Sequence, residues 1–471
     1  LLAWAYFTIC FRVEGLGRRP AVETGDVPAP PLLTSSVSSS EDEESSSDGN
    51  ENECFEAWFQ RVCEAVKQND PTIDELEIDC SDASSAIRFD DSDMLSLMEA
   101  MRENRYVTSL IFKHMPIEGC SAEYLKQLLM NSNSITSLYL ESVTGEGCMA
   151  VALALSLNPT GPTRILHLRD NSIDDLTAQA LALMLKSNRS LYELRLCHNT
   201  IDSQEAASNL SLGLMANRGL RVLDLMGNGF SDVSVSKISN ALAHNVTLEF
   251  LCLDFNDFGT YGTKAIGSML QRNRHLRELH LFGNQIDSDG AIIIARSLYH
   301  NNSLKSLILS YNNIGDTGLK ALGDALTVNT TLTKLWVASN GIGIQGFMAL
   351  GQCLPKMKGL EQINIGDFYD MTSAEALVQG LESNTRLSAL YLQSPICETY
   401  SCGSCPVEDR LDFFLRMNKS GRSLLQSPSA PSSLWSVVLE KANQHQSESG
   451  APDVLYHMLR EKPELLEFYR G

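Results

Sequence analysis

The sequence predicts an α/β solenoid shaped like a horseshoe, with a parallel sheet on its concave side, helices outside and about twelve coils. The first observation is a pattern, Leu-x-x-Leu-x-Leu-x-x-Asn-x-Ile, that recurs at steps of 28 or 29 residues between positions 163 and 335. The second is an apolar helical pattern between copies of that motif. A repeat of this length cannot bury its own apolar face, so successive copies must stack.

Each copy begins with a segment that we predict to be a strand. The plainest copies start at Leu276 and Leu304, and every motif residue of the second lies 28 positions after its counterpart in the first. The first and last copies keep the apolar spacing but lose the Asn, as expected of terminal repeats that cap a core. The predicted strand segments start at positions 73, 107, 135, 163, 191, 220, 248, 276, 304, 332, 360 and 387.

Asparagine recurs at two positions of the repeat. A turn column follows the strand, where an amide can satisfy the backbone of its own and the neighbouring coil. It comprises Asn171, Asn199, Asn228, Asn256, Asn284, Asn312 and Asn340. A cap column lies three residues before each strand segment, and we predict that it ends each helix in the left-handed conformation, which Asn tolerates. It comprises Asn188, Asn217, Asn245, Asn273, Asn301 and Asn329.

The segment between the two columns is predicted to be a helix. In one coil Ile292, Ala295 and Leu298 fall at helical spacing after the polar turn at 287–290. Four cap-column residues also begin Asn-x-Ser/Thr sequons, but their fixed place in the repeat favours a structural role over glycosylation.

Repeats of 28 or 29 residues with a full helix in every coil resemble the ribonuclease-inhibitor-like class of leucine-rich repeats. That class also appears in the sensor regions of NOD-like receptors and in the Ran GTPase-activating protein. The resemblance covers residues 73–396 and implies a leucine-rich-repeat horseshoe. It implies no particular activity, because the motif residues are structural and one fold hosts many functions.

The chain before the array is acidic. Residues 1–53 form a Ser-rich leader that we predict to be disordered. Residues 1–100 hold 22 Asp and Glu against 6 Lys and Arg, which gives −16 of the chain's net charge of −21. The apolar stretch at 1–11 is too short to cross a bilayer, so we interpret it as a truncated start or a remnant of a targeting segment. Residues 54–72 carry apolar residues at helical spacing and are predicted to be a cap helix.

Two segments follow the array. Residues 397–433 are predicted to be a loop, with Cys397, Cys402 and Cys405, and then a Ser/Pro linker. These three thiols lack a nearby fourth ligand, which favours free thiols or a local disulfide over zinc. Residues 434–471 carry two short amphipathic helical patterns, predicted either to cap the array or to form a docking module.

No catalytic, cofactor or metal site is predicted. The nearest match to a phosphate-binding loop, at 259–264, lacks the Gly-Lys-Ser/Thr ending, and zincin, hydrolase and kinase motifs do not occur. Single cysteines within strands suit a reducing compartment, which favours the cytoplasm and allows the nucleus. We expect no membrane partner, and a basic patch only three residues wide disfavours nucleic acid.

Candidate binding residues alternate with the buried leucines and therefore face the concave side. Charged candidates are the basic residues His167, Arg169 and Arg195, followed by the acidic pair Asp224 and Asp254. Aromatic candidates, grouped around His280, are Phe250, Phe282 and Trp336 on the strand segments, with Phe255 and Tyr311 at the loop that follows. Exposed aromatic and arginine side chains dominate protein-binding hot spots. The alternative is that the charges are merely solvated and the aromatic rings pack on one another.

The sequence thus favours a non-enzymatic scaffold that binds a partner protein on its concave face. One alternative is a regulator of enzyme activity, either an inhibitor or a GTPase activator that resembles the Ran GTPase-activating protein, whose functional residues cannot be matched to positions here. Inhibition of basic ribonucleases is less favoured, because steering them would need an acidic concave face. A second alternative is a receptor-like sensor that lacks a nucleotide-binding module.

Overall fold

The computed structural model describes residues 55–81, 89–367, 371–393 and 406–423, together with residue 454. This part of the chain contains one sheet of 12 strands in which each strand pairs with the next one along the chain. The pairing is parallel throughout, and the two terminal strands do not pair with each other. The predicted leucine-rich-repeat solenoid is therefore confirmed.

Strands and helices alternate along the array. The strands are β1 Glu75–Asp79, β2 Ser109–Lys113, β3 Ser137–Glu141, β4 Ile165–Arg169, β5 Glu193–Arg195, β6 Val222–Asp224, β7 Phe250–Cys252, β8 Glu278–His280, β9 Ser306–Ile308, β10 Lys334–Trp336, β11 Gln362–Asp367 and β12 Ala389–Gln393. The helices are α1 Phe55–Lys67, α2 Asp91–Met101, α3 Gly119–Asn131, α4 Gly145–Leu157, α5 Asp175–Ser187, α6 Gln204–Ala216, α7 Asp232–Leu242, α8 Thr260–Arg272, α9 Ser288–Leu298, α10 Gly315–Leu326, α11 Ile344–Cys353, α12 Met371–Ser383 and α13 Pro406–Lys419. A 3-10 turn at Leu354–Lys356 follows α11.

The sheet lines the inner side of the array because of how the two kinds of element pack. Packed helices need about 8–10 Å between their axes, whereas neighbouring strands need only about 4.8 Å. Stacked coils must therefore curve toward the strands. Leucines of successive strands, such as Leu279 and Leu307, pair in register and point into the core, where both are fully buried. The residues between them point to the concave surface.

Helix α9 shows how each helix joins this core. Asp287 caps its first turn by accepting a hydrogen bond from the Gly290 N–H at 2.9 Å. The apolar residues that it buries are Ala291, Ile294, Ala295 and Leu298. Ile292, which the predicted helical pattern also includes, is half-buried. Helices α8 and α10 lie on either side of α9, and the face that α9 turns toward the core carries Ile294 and Leu298.

The turn column behaves as predicted. Asn228 is fully buried, and its Nδ2 donates to the Leu196 carbonyl of the preceding coil at 2.8 Å and to the Leu225 carbonyl of its own coil at 2.9 Å. Its Oδ1 accepts from the Asn199 N–H at 3.1 Å. The Asn228 N–H donates in turn to Asn256 Oδ1 at 3.1 Å. These amides thus form a ladder that joins each coil to the next.

The cap column lies where predicted, but its predicted left-handed conformation was wrong. Asn217 has φ −66° and ψ 143°, which is extended backbone. Its side chain ends the helix instead: Oδ1 accepts from the Leu220 N–H at 2.8 Å, and Nδ2 donates to the Leu185 carbonyl of the preceding coil at 2.8 Å. Asn104 and Asn384 make the equivalent pairs of bonds in coils where the sequence pattern is weaker.

Helix α1 lies within the segment predicted to be a cap helix, and it packs into the same core as the first coils. It buries Phe59, Val62, Cys63 and Val66. The Phe59 ring meets Phe89 edge-on, with 5.5 Å between ring centroids. The first coil therefore does not end in an exposed apolar surface on this side.

Helix α13 lies inside the segment 397–433, for which the sequence indicated only a loop and a linker. It buries Leu411, and Arg410 pairs with Glu375 and Glu382 of α12, each at 3.0 Å. Near its end Asn418 donates through Nδ2 to the Leu387 carbonyl at 2.8 Å. Asn418 Nδ2 also donates to the Asn384 carbonyl at 3.0 Å, as Asn329 of the cap column donates to the Asn301 carbonyl. Helix α13 therefore continues the helical row by one further turn of the solenoid.

Several predictions concern residues outside the described ones. These are the leader at 1–53 with its apolar stretch at 1–11, the thiols Cys397, Cys402 and Cys405, and the segment 434–471 apart from Val454. Within the described ranges, every helix is too short or too polar to span a bilayer.

Candidate functional site

Nearly every predicted strand segment starts with an apolar residue, such as Leu276. The residues four positions after the segment starts form a row across the concave face. The strand register places four of them side by side in the order Arg195, Asp224, Cys252, His280. Two strands further on, the row reaches Trp336 of β10. Because neighbouring strands lie about 4.8 Å apart, each of these side chains can contact the next.

The predicted basic patch proves to be a mixed network of charges. Glu193, which the sequence analysis missed, accepts from Arg195 Nε at 2.7 Å and lies 2.9 Å from His167 Nε2. Arg195 Nη1 also lies 3.9 Å from Asp224 Oδ2. Arg169 pairs with Asp170 at 3.2 Å. The interpretation of this region as simply basic was therefore wrong, because the Glu193 carboxylate contacts both Arg195 of its own strand and His167 of the preceding strand.

Glu193 is held ionised by its neighbours. Burial by itself would raise the pKa of this carboxyl, but the hydrogen bond from His167 and the charge of Arg195 outweigh that effect and lower the pKa to about 2. The side chain is 16% exposed, so water screens these interactions only in part. The network thus fixes the orientation of Arg195 on the concave face.

The predicted acidic pair is buried. Asp224 and Asp254 are 8% and 4% exposed, and each serves the backbone. Asp224 Oδ1 accepts from the Met226 N–H at 3.0 Å, and Asp254 Oδ1 accepts from the Phe282 N–H at 2.7 Å. These carboxylates therefore cannot form an exposed acidic patch, because each of them points toward a backbone N–H group.

Burial also shifts the protonation of this central region. It raises the pKa of Asp254 to about 7, an effect that the nearby Asp224 carboxylate increases and the Phe282 N–H opposes. It lowers the pKa of His280 to about 3, and the Lys334 ammonium acts in the same direction. Burial likewise raises the pKa of the Cys252 thiol well above its usual value. The centre of the concave face thus favours uncharged forms of its side chains.

The aromatic candidates form a ladder at the end of the strands. Phe255 and Tyr311 each lie against Phe282, with ring centroids 4.9 and 4.7 Å apart. Phe282 is buried, whereas Phe255 and Tyr311 are 37% and 45% exposed. Phe250 instead packs edge-on against the His280 ring at 4.7 Å. The predicted aromatic group therefore consists of the buried Phe282, the exposed rings of Phe255 and Tyr311 packed against it, and a separate pair formed by Phe250 and His280.

The two exposed rings belong to a column of left-handed residues. Phe255 and Tyr311 have φ of 52° and 57°, and Gly283 in the coil between them has φ of 65°. A Cβ atom at Gly283 would lie 2.8 Å from Phe255 Cδ1, so the ring covers this glycine closely. In the coil before Phe255 the same place is taken by Gly227, with φ of 68°. Bulky side chains are unusual in this region of backbone space.

Trp336 lies further along the same face. The Lys334 ammonium sits 4.1 Å from the centre of its ring, in the geometry of a cation–π contact. The side chain is half-buried, and its indole Nε1 has no hydrogen-bond partner among the described residues. The concave face thus carries a second aromatic group beyond the ladder, with a cation held over it.

Comparison with known proteins identifies the repeats. The family model described as leucine rich repeat matches residues 216–239, 272–295, 300–323 and 328–351. No curated protein matches the chain. The matched segments are leucine-rich repeats, and they fall in the central and later coils.

Three solved structures are similar to parts of the chain. An internalin, InlF, from Listeria monocytogenes is 18% identical, with 71% of this chain and 88% of that chain covered and a TM-score of 0.40. The actin-binding site 2 of leiomodin-1 is 19% identical, with coverage of 40% and 82% and a TM-score of 0.25. The tropomodulin C-terminal domain of Caenorhabditis elegans is 12% identical, with coverage of 38% and 92% and a TM-score of 0.26.

Proposed function

We propose that this protein is an interaction scaffold that binds a partner protein on the concave face of its repeat array. The contact surface would run from His167 and Arg195 to Trp336. Leucine-rich repeats generally act as protein-binding modules, and the chain contains them over its central coils. The repeat length and the helix in every coil support the ribonuclease-inhibitor-like subtype.

One observation carries this proposal: Phe255 and Tyr311 are exposed aromatic residues held in the left-handed conformation. That conformation costs a residue other than glycine about 1–2 kcal/mol. Glycine fills the same position at Gly227 and Gly283. The same conformation recurs in other coils at residues with polar side chains, such as Asp170, His198 and Ser339, so it is a property of the repeat. Phe255 and Tyr311 differ from these residues in presenting exposed aromatic rings, which are frequent binding hot spots.

The charged network at the other end of the surface would orient the partner. Glu193 and Asp224 hold the Arg195 guanidinium in place, and Arg side chains are frequent hot spots when they are positioned in this way. Because the cations and the acids lie interleaved, this region gives directional hydrogen bonding rather than long-range steering of a strongly charged partner. This is a second reason to disfavour a ribonuclease as the partner.

The cysteines support a reducing compartment, and hence the cytoplasm or the nucleus. The described cysteines, from Cys63 to Cys353, are all free thiols, and Cys63, Cys148, Cys252 and Cys353 are buried in the core or between coils. Extracellular proteins rarely retain so many free thiols.

The proposal is tested with a double variant, Phe255→Ala/Tyr311→Ala, and a matched control, Tyr261→Ala/Tyr299→Ala. The control removes two exposed aromatic rings from the helical side of the array, where Tyr261 and Tyr299 are 80% and 44% exposed. Partners are first identified by crosslinking to the unaltered protein, and the affinity of each purified partner is then measured for all three proteins.

We expect the concave double variant to bind at least about thirtyfold more weakly, since loss of a hot spot costs about 2 kcal/mol or more. The control should bind as the unaltered protein does. Circular dichroism melts verify that both variants remain folded. Full affinity in the concave variant, or an equal loss in the control, would contradict binding through this face.

A further inference from the structure

Three side chains of metal-binding type meet at the centre of the concave face. Cys252 and His280 are register partners on β7 and β8, and Asp254 lies two residues after Cys252, on the same side of the chain. One ligand atom of each, a thiol sulfur, a carboxylate oxygen and an imidazole nitrogen, lies within 4.8 Å of the others. Cys252 and Asp254 belong to one coil and His280 belongs to the next, so the three side chains meet only when the two coils stack.

The surroundings leave the ligand atoms of Asp254 and His280 directed at each other. Asp254 Oδ1 is occupied by the Phe282 N–H, which leaves Oδ2 at 4.0 Å from His280 Nδ1. The opposite ring nitrogen, Nε2, lies 3.9 Å from the Glu278 carboxylate. A carboxylate behind a metal-binding histidine is a frequent arrangement, because it fixes the tautomer and the ring orientation.

The site is also enclosed. Cys252 and Asp254 are each 4% exposed, and the His280 side chain is 20% exposed, with the Phe250 ring packed against it. Asp224 lies beside Cys252 in the neighbouring strand. Isolated charges are costly in such a place, but a thiolate and a carboxylate together balance the charge of a divalent cation.

We infer that Cys252, Asp254 and His280 bind a divalent transition-metal cation of the zinc class. Zinc accepts sulfur, nitrogen and oxygen ligands at about 2.0–2.3 Å, which places ligand atoms roughly 3.3–3.7 Å apart around a tetrahedron. The Asp254 and His280 atoms are 4.0 Å apart and all three ligand atoms lie within 4.8 Å of one another, so the side chains must close by roughly 1 Å to reach that geometry. The soft thiolate and the imidazole disfavour magnesium and calcium.

Binding would leave one tetrahedral position open toward the concave surface. The bonds form from the Cys252 sulfur, an Asp254 oxygen and His280 Nδ1, and the protons displaced from the thiol and the carboxyl pass to solvent. A water molecule or a side chain of a bound protein could take the fourth position. This inference departs from the sequence analysis, which predicted no metal site, and it does not depend on the proposed function.

Cobalt(II) titration of the full-length protein tests the inference. Cobalt replaces zinc and gives a charge-transfer absorption when it binds a thiolate. The experiment uses a background in which Cys397, Cys402 and Cys405 are changed to Ser, so that this separate group of thiols cannot contribute. Into this background are placed Cys252→Ala, His280→Ala and the matched control Cys148→Ala, which removes an equally buried thiol from α4.

We expect the background protein and the Cys148→Ala control to bind one equivalent of cobalt with the thiolate absorption, and zinc to displace it. Cys252→Ala should lose the absorption, and His280→Ala should bind at least about tenfold more weakly. Circular dichroism reports folding of each variant, and His280→Gln, which keeps more of the side-chain volume, replaces His280→Ala if that variant does not fold. Absence of the absorption in the background protein, or its retention in folded His280→Ala, would overturn the assignment.

Discussion

At the scale of single residues, one Asn side chain at each turn joins neighbouring coils by hydrogen bonds and stabilises their stacking. Asn284 donates to the Leu253 carbonyl of the preceding coil at 3.0 Å and to the Phe282 carbonyl at 3.2 Å, while its Oδ1 accepts from the Asn256 N–H at 3.2 Å. These partners are backbone groups in the interior, where water cannot replace a lost bond. Each coil therefore depends on the side chain of the next one.

We expect Asn284→Ala to lower the free energy of unfolding by about 1–3 kcal/mol, because buried donors and acceptors are left without partners. Urea denaturation monitored by circular dichroism measures this change. Asn302→Ala is the matched control, since Asn302 is exposed in the following coil and its loss should change stability by less than about 0.5 kcal/mol. Equal stability of the two variants would mean that the amide ladder is dispensable.

Glu193 gives the concave face a dependence on pH. Its pKa is about 2 in the folded protein, against 4.5 for an ordinary Glu. The unfolded chain therefore takes up the proton first as the pH falls. The stabilisation from this carboxylate is present above pH 4.5 and is lost progressively between pH 4.5 and 2.

We expect Glu193→Gln to be less stable than the unaltered protein near neutral pH, with a difference that shrinks as the pH falls below 4.5. Urea denaturation at pH about 6 and about 3.5 measures both differences. Glu361→Gln is the control, because its ion pair with Arg386 is exposed to water and should contribute less than about 1 kcal/mol. A difference for Glu193→Gln that stays constant over this range would contradict the role assigned to the network.

At the scale of elements, helix α13 extends the helical row beyond the last strand. Its Leu411 is 3% exposed, and Asn418 donates to the Asn384 carbonyl, as Asn329 of the cap column donates to the Asn301 carbonyl. The sequence did not predict this helix because the neighbouring Cys, Ser and Pro residues indicate a loop. Asn384 and Asn418 together would have indicated another coil, since Asn384 also lies three residues before a strand segment.

We expect Leu411→Ala to lower the stability of the array by about 2–5 kcal/mol, because it removes a side chain from the shared core. Hydrogen exchange should show faster exchange in both α12 and α13. Asp409→Ala is the control: it truncates an exposed side chain of the same helix and should cost less than about 0.5 kcal/mol. Faster exchange confined to α13 would show instead that this helix is only an appendage.

The same elements show how far a repeat sequence can be interpreted. The strand positions and the turn column were predictable, because each contact recurs with the period and follows from any one coil. The positions of the cap column were predicted correctly, but its backbone conformation was not. Two side-chain hydrogen bonds end each helix where we had expected a left-handed residue to end it. The concave face was less predictable. The pairing of Glu193 with Arg195 and the burial of Asp254 depend on side-chain directions that differ from coil to coil.

At the scale of the whole molecule, each coil contacts mainly the coil before it and the coil after it. Helix neighbours are sequential along the described part of the chain, and so are strand neighbours. An array of this kind has a stability close to the sum of its coils and of the interfaces between adjacent coils. A coil is therefore a unit that can be removed whole, provided that the period is kept.

We expect deletion of residues 304–331, one period of 28 residues, to leave a folded and cooperative array of lower stability. In the shortened chain Asn340 can donate to the Leu281 carbonyl, as Asn312 does at 2.9 Å in the intact protein. Deletion of only 304–317 removes the strand segment and turn of this coil but keeps most of its helix. The coil cannot form, so the leucines and turn amides on its two sides lose their partners. Thermal melts by circular dichroism distinguish the two shortened chains. If the full-period deletion unfolded as readily as the half-period deletion, contacts beyond adjacent coils would have to hold the array together, and nearest-neighbour stacking would be insufficient to explain the fold.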